Sequence, residues 1–131
     1  MKKRIISLLL ALIMALSLLP VSVLAADDHT GQVHVTVENT TWAKADGAPW
    51  EGTLLDEWVT LQADSSMMSC IKAALDKKNI PSTINASSYG GEYISAINGV
   101  GEFSAGSESG WMGTLNDWFT NLSFSAFTVQ G

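Results

Sequence analysis

The chain has 131 residues, 7 Lys plus Arg against 13 Asp plus Glu, a net charge of −6 and one cysteine. A surface of that sign repels phosphate backbones, so nucleic acid is not an expected partner. One cysteine closes no bridge within the chain, and the length allows one domain with one modest core.

The first element is a targeting segment. Lys2, Lys3 and Arg4 precede an apolar block at 5–19, Pro20 and the small-residue site Val23-Leu24-Ala25. This order reads as a secretory signal peptide over 1–25. A membrane-spanning helix needs about 20 unbroken apolar residues, so no span is expected once the segment is cleaved. Cleavage after Ala25 would leave 106 of the 131 residues and four lysines against 13 acids, a net charge of −9. Cys70 lies far from the cleavage point, so no lipid anchor is expected, and the expected location is extracellular, either secreted or cell-wall associated. Residues 26–32 read as a short mobile leader and 33–131 as the domain.

In chain order, Val33, Val35 and Val37 alternate with His34, Thr36 and Glu38, the pattern of a half-buried strand. Residues 39–55, rich in Thr, Gly and Asp and carrying Trp42 and Trp50, predict an ordered loop that the two tryptophans pin to the sheet. A second strand is predicted at 58–62 with Val59 and Leu61 inward. Asp64, Ser65 and Ser66 then offer an N-cap to a helix whose Met67, Met68, Cys70, Ile71, Ala74 and Leu75 share one face. Asn79, Ile80 and Pro81 predict its end, with Asn79 left-handed and Ile80 folded back on Leu75. Cys70 reads as a buried apolar residue or as a thiol that pairs with another molecule.

Beyond the helix, 81–92 reads as a polar loop, 93–97 as a strand, Asn98-Gly99 as a turn, 100–109 as a second loop and 111–115 as a strand. Phe124, Phe127 and Val129 close the chain as an apolar segment. No internal repeat is present.

The residue types that carry chemistry are sparse. The histidines, His29 and His34, stand at the start of the domain, and His34 reads as a solvated strand residue rather than a general base. Two histidines and one distant cysteine do not supply the ligands of a zinc site. Glu102, Glu108 and Asp117 lie near the tryptophan segment, as a glycosidase pair would, but loop carboxylates are usually plain solvated charges. No phosphate loop or calcium loop is found, and three Asn-x-Ser/Thr triplets at Asn39, Asn85 and Asn121 read as unmodified. The expectation is a protein that is not an enzyme and carries no cofactor.

The most informative segment is Ser109-Gly110-Trp111-Met112-Gly113-Thr114-Leu115-Asn116-Asp117-Trp118-Phe119, preceded by Tyr93-Ile94-Ser95-Ala96-Ile97-Asn98-Gly99. Flat apolar rings beside amides and carboxylates are what binding surfaces favour. Trp111, on its predicted strand, reads as a packing residue or a ligand contact, and Trp118 as a ligand platform or a loop anchor. The candidate ligand-binding set is Asn98, Trp111, Asn116, Asp117 and Trp118.

With Met67-Met68-Ser69-Cys70 and the helix to Leu75, these segments resemble the transcobalamin-like C-terminal domain family over about residues 33–131. The family includes the smaller cobalamin-contacting domain of vitamin B12 carriers and many secreted or surface modules of Gram-positive bacteria. The tryptophan segment resembles the bacterial branch. The resemblance implies an α+β fold of the β-grasp type, with a mixed sheet packed on one helix. It also implies that a last strand follows the Phe-x-Val segment, so that a sheet ending at Gly131 leaves an unpaired edge.

The functional expectation is a non-enzymatic, secreted or cell-surface module that binds a small soluble ligand, by resemblance a cobalamin-like corrinoid. The alternative is a structural or adhesive domain of a larger bacterial surface protein, with the tryptophans packing or contacting another surface protein.

Overall fold

The computed structural model describes residues 28–120 and 122–129. The expected signal peptide lies outside the described residues, as do residues 26 and 27 of the expected leader. The remainder of that leader is tied to the sheet rather than loose. The His29 ring stacks on Trp58 at 3.6 Å with 5° between planes, and the Leu61 N–H donates to the Gly31 carbonyl at 2.8 Å.

The alternating valines form strand β1 (Gln32–Asn39), with Val35 and Val37 buried and His34, Thr36 and Glu38 exposed. It pairs antiparallel with β2 (Gly52–Thr60), Gln32 opposite Thr60 and Asn39 opposite Gly52, with a register shift after Val37. β2 starts six residues before the expected 58. Its first half, Gly-Thr-Leu-Leu-Asp-Glu, lacks a period of two, and pairing with β1 supplies what local pattern does not. Leu55 takes the most buried position on this strand, while Val59 and Leu61 are half-buried.

The intervening loop is pinned as its tryptophans suggest. The Asn39 amide nitrogen donates to the carbonyls of Trp42 (2.8 Å) and Trp50 (2.6 Å), and its oxygen accepts from the Trp42 N–H (3.1 Å). A 3₁₀ turn at Lys44–Asp46 closes beneath the Trp42 ring, whose Nε1–H donates to the Asp46 carbonyl. The buried Asn39 therefore satisfies backbone groups that a buried loop would otherwise leave orphaned.

Helix α1 (Met67–Lys77) is capped at both ends by its own sequence. Ser66 and Ser69 exchange side chain and backbone bonds of 3.1 and 2.9 Å, a capping box. Two further N–H groups of the first turn, on Met67 and Met68, donate to the carbonyls of Phe127 and Phe124, both at 3.0 Å. The C-terminal segment thus satisfies donors that every helix N-terminus leaves free. At the other end Asn79 is left-handed (φ 55°), its N–H reaches Asp76, and the Ile80 N–H reaches Leu75. This is a Schellman ending, with asparagine where glycine is usual. Lys78 and Lys77 reach back to Glu57 of β2 at 2.7 and 3.1 Å, and the hydrogen bonds they donate, with their charge, hold that carboxyl below the usual carboxylate range.

Residues 81–92, expected as a loop, contain strand β3 (Ser82–Ala86). It pairs antiparallel with β4 (Glu92–Ile97), which turns through Asn98 and Gly99, both at positive φ (48° and 83°), into β5 (Val100–Gly101). Two left-handed residues in a two-residue loop match the right-handed twist of a hairpin, which accounts for Asn-Gly here. Ser95 is the extra residue of a bulge in β4, since Thr83 faces Ala96 and Ile84 faces Ile94. The bulge brings Ile94 and Ile97, three positions apart, onto the buried face together.

A last hairpin joins β6 (Thr114–Leu115) to β7 (Trp118–Phe119). The class is α+β, as expected from the sequence. Among the described residues the strands form three antiparallel sheets, β1-β2, β3-β4-β5 and β6-β7, rather than one mixed sheet. Val35, Val37, Leu55, Met68, Ala74, Leu75, Ile94 and Ile97 form the core between sheets and helix, closed on one side by Trp50. Among the described residues no helix is long and apolar enough to cross a membrane.

Cys70 sits in that core, and burial pushes its thiol up from the ordinary value although Ser65 and Ser69 hydrogen-bond to it. The nucleophile is the thiolate, so the folded chain is expected to leave a thiol reagent such as DTNB unreacted at about pH 8 while the denatured chain reacts at once. Equal rates in the two states would place Cys70 at the surface.

Candidate functional site

A groove of about 820 Å³ opens between the turn that joins β3 to β4 and the segment 111–126. The turn is built by short-range bonds. The Ser87 N–H donates to Gly91 (2.9 Å), Gly90 donates back to Ser87 (3.1 Å), and Tyr89 is carried at the tip, 99% exposed. Gly91 is required there on two counts. Its φ is 74°, and an added Cβ would strike the hydroxyls of Ser123 and Ser125, the latter at 2.8 Å. The Glu92 N–H donates to that Ser125 hydroxyl at 3.0 Å, so the turn is fastened to the C-terminal segment.

The opposite wall rests on Gly113. A Cβ at this position would run into the Phe124 ring and come within 2.8 Å of the Met67 methyl, so only glycine lets the chain lie flat on the helix N-terminus. Met112 and Phe119 then stand over the groove, 75% and 70% exposed, with Leu122 and Tyr93 beside them. Tyr93 donates to Glu102 at 3.2 Å. Hydroxyls of Ser87, Thr120, Ser123 and Ser125 supply the polar component, and Glu92 is the charged residue of the lining. Such a surface stacks flat rings and hydrogen-bonds neutral polar groups.

The residues singled out from sequence divide into two places. Asn98 and Trp111 belong to a tryptophan bracket. Trp50 donates from Nε1 to the Asn98 carbonyl (3.0 Å), Trp111 donates to the Val100 carbonyl (2.9 Å), and the two indoles stack at 5.9 Å and 20°. Trp111 lies outside the strand assigned to it, in irregular chain before β6, half-buried with an edge toward the groove. Asn98 does not line the groove, and its backbone explains it fully.

Asn116 and Asp117 form the two-residue turn between β6 and β7, at φ 50° and 66°. Asparagine and aspartate tolerate that conformation better than other side chains, so their identity is accounted for by the hairpin. Trp118 is 80% exposed and lies outside the groove, and its neighbour Phe119 lines it instead. Sequence reasoning passed over Tyr89, Tyr93, Met112 and Leu122. The Tyr-Gly-Gly run at 89–91 is the signal that points to the groove, because two glycines after an aromatic mark a tight turn that presents the ring.

On the far face of β1 and β2, Trp58 lies against His29 and His34, and His34 hydrogen-bonds Asp56. Among the described residues no three His, Cys, Asp or Glu side chains gather around a common point where a metal ion would sit. Comparison with protein-family models, curated proteins and solved structures finds no match.

Proposed function

We propose that the chain is a non-enzymatic binding module, exported from a bacterial cell, that takes one face of a flat, amide-bearing ring in the groove between Tyr89 and Phe119. The observation that carries this reading is the gathering of Tyr89, Tyr93, Met112, Phe119 and Leu122, all exposed, around one groove floored by Gly113. Monomeric proteins seldom leave so many large apolar side chains together in water without a ligand or partner. The resemblance of its tryptophan segment to transcobalamin-like domains makes a corrinoid the ligand class. Phe119 and Tyr89 stack on the ring, and the serine hydroxyls of the groove bond its amides.

Calorimetric titration of the folded chain with cobalamin and cobinamide tests this directly. Heat of binding is expected in the micromolar range, weakened by about tenfold in Phe119→Ala, the ~1.4 kcal/mol that one aromatic stack supplies. Trp118→Ala is expected to bind as the parent does. Absence of heat at high micromolar ligand would sink the proposal.

A second reading is favoured by Trp118, which with 80% of its surface in water lies outside the groove. It suits an adhesive contact with another surface protein, and such a contact would lose affinity in Trp118→Ala but not in Phe119→Ala.

A further inference from the structure

A cleft of about 210 Å³ lies at the end of β1, between the loop that follows this strand and the loop that follows β5. Glu38, Thr40, Thr41 and Trp42 line one side, with Ser109 and Trp111 on the other. No residue beyond Met112 contributes to it, and Thr128 and Val129 line a different pocket with Gln32 and Val33, at the opposite end of β1. The cleft meets the ring-binding groove at Trp111 and Met112 and shares no other lining residue with it.

Both walls are fixed by their own bonds. The Asn39 amide clamps the Trp42 side through the bonds described above. On the facing side, the Phe103 N–H donates to the Ser109 carbonyl (2.8 Å), the Ser104 N–H to the Gly101 carbonyl (3.2 Å) and the Ala105 N–H to the Ser109 hydroxyl (3.1 Å). This closure holds Phe103 at φ 65°, a region that bulky side chains seldom enter. Phe103 is 62% exposed, so burial of its ring does not offset the strain. Backbone strain of this kind clusters where a loop is shaped for a ligand, and the space this loop shapes is the cleft.

The groups that line the cleft suit a sugar. The Thr40 and Thr41 hydroxyls are exposed and have no hydrogen-bond partner among the described residues, and the Glu38 carboxylate takes one bond, from Thr53 at 3.3 Å. Hydroxyls donate and accept while a carboxylate accepts only, the set that neighbouring sugar hydroxyls satisfy. Trp42 and Trp111 add apolar surface for the C–H face of a ring. Glu38 is the charged residue of the lining, and its sign disfavours phosphates and acids. The volume falls below the roughly 300–1,000 Å³ of pockets for drug-sized ligands, so it admits one small ring and no macrocycle.

We infer that this cleft binds a single neutral pyranose ring, its C–H face against Trp42 and its neighbouring hydroxyls shared among Thr40, Thr41 and Glu38. The site stands without the ring-binding groove, and the groove without it.

The probes are methyl β-glucoside, methyl α-mannoside and methyl β-galactoside, each titrated to tens of millimolar while amide and indole chemical shifts are followed. At least one is expected to shift Thr40, Thr41, Gly110 and the Trp42 indole, with Tyr89 and Gly91 unmoved. Cyclohexanol, which offers the apolar ring without neighbouring hydroxyls, is expected to shift none of them. Thr40→Val and Thr41→Val together keep the side-chain shape, and are expected to weaken binding about tenfold with the melting temperature unchanged. Glu38→Gln, which keeps an acceptor, is expected to weaken it less. No shift with any of the three sugars, undiminished binding in both the valine and the glutamine variants, or equal binding of cyclohexanol would overturn the inference. Sugar shifts confined to Tyr89, Gly91 and Phe119 would also overturn it, by placing the sugar in the other groove.

Discussion

Replacing Trp50 by alanine is expected to cost about 3–5 kcal/mol, the range for removing a buried tryptophan, and to lower Tm by roughly 15 °C or more. Trp50 is 8% exposed, and three losses fall together when it goes. Its ring leaves a void beside the core, the Asn98 carbonyl loses the indole N–H at 3.0 Å, and Trp111 loses its stacking partner. The β4–β5 turn and the Trp111 wall of the groove are then both unsupported. Trp50→Phe keeps most of the ring but orphans Asn98, so roughly 1–2 kcal/mol is expected for it. Trp118→Ala provides the contrast, since an 80% exposed side chain leaves no cavity and its loss is expected to change stability by less than about 0.5 kcal/mol. Thermal melts of the three variants check the series, and a cost at Trp118 as large as at Trp50 would contradict the packing described.

The other large effect is Leu75→Ala. Leu75 has no exposed surface, packs in the cluster formed by α1, β1, β2 and β4, and sits where Ile80 folds back to close the helix. Buried leucine truncations cost about 2–5 kcal/mol, with the upper part applying where surroundings cannot collapse into the space. Leu75 is held by strands on one side and by its own helix ending on the other, so the upper part is expected. Domains of this size have about 5–15 kcal/mol in total, and the variant is therefore expected to be partly unfolded near 37 °C. Lys72→Ala, on the exposed face of the same helix, should leave denaturant midpoints unchanged to within about 0.5 kcal/mol.

These two positions also show how much of the fold is legible in the sequence. The helix around Leu75 could be read in full, because every signal is local: Ser66 caps it, one face is apolar, and Asn79-Ile80-Pro81 ends it. β1 was legible for the same reason, through three valines at a spacing of two. β3 was not. Ser-Thr-Ile-Asn-Ala offers a single apolar residue, and the strand exists because β4 pairs with it. The first half of β2 was hidden in the same way, its two adjacent leucines masking a register that β1 imposes.

The groove was legible in the sequence only in part. Within the segment 109–119, Trp111, Met112, Gly113 and Phe119 line the groove, and the Asn-Asp pair does not. Asn116 and Asp117 drew attention as hydrogen-bonding groups, whereas positive φ at both positions of a two-residue turn is a sufficient reason for them. Tyr89 was overlooked because its loop is polar. Only the meeting of Gly91 with Ser123 and Ser125, 32 and 34 residues away, makes a groove wall of it.

The most direct measurement is amide and side-chain chemical-shift mapping of the folded chain titrated with dicyanocobinamide. The expected result is shifts concentrated at Tyr89, Gly91, Tyr93, Met112, Gly113 and Phe119, with Asn98 and Asn116 little affected. Shifts confined to Asn98, Asn116, Asp117 and Trp118, or none at millimolar ligand, would contradict a binding groove between Tyr89 and Phe119.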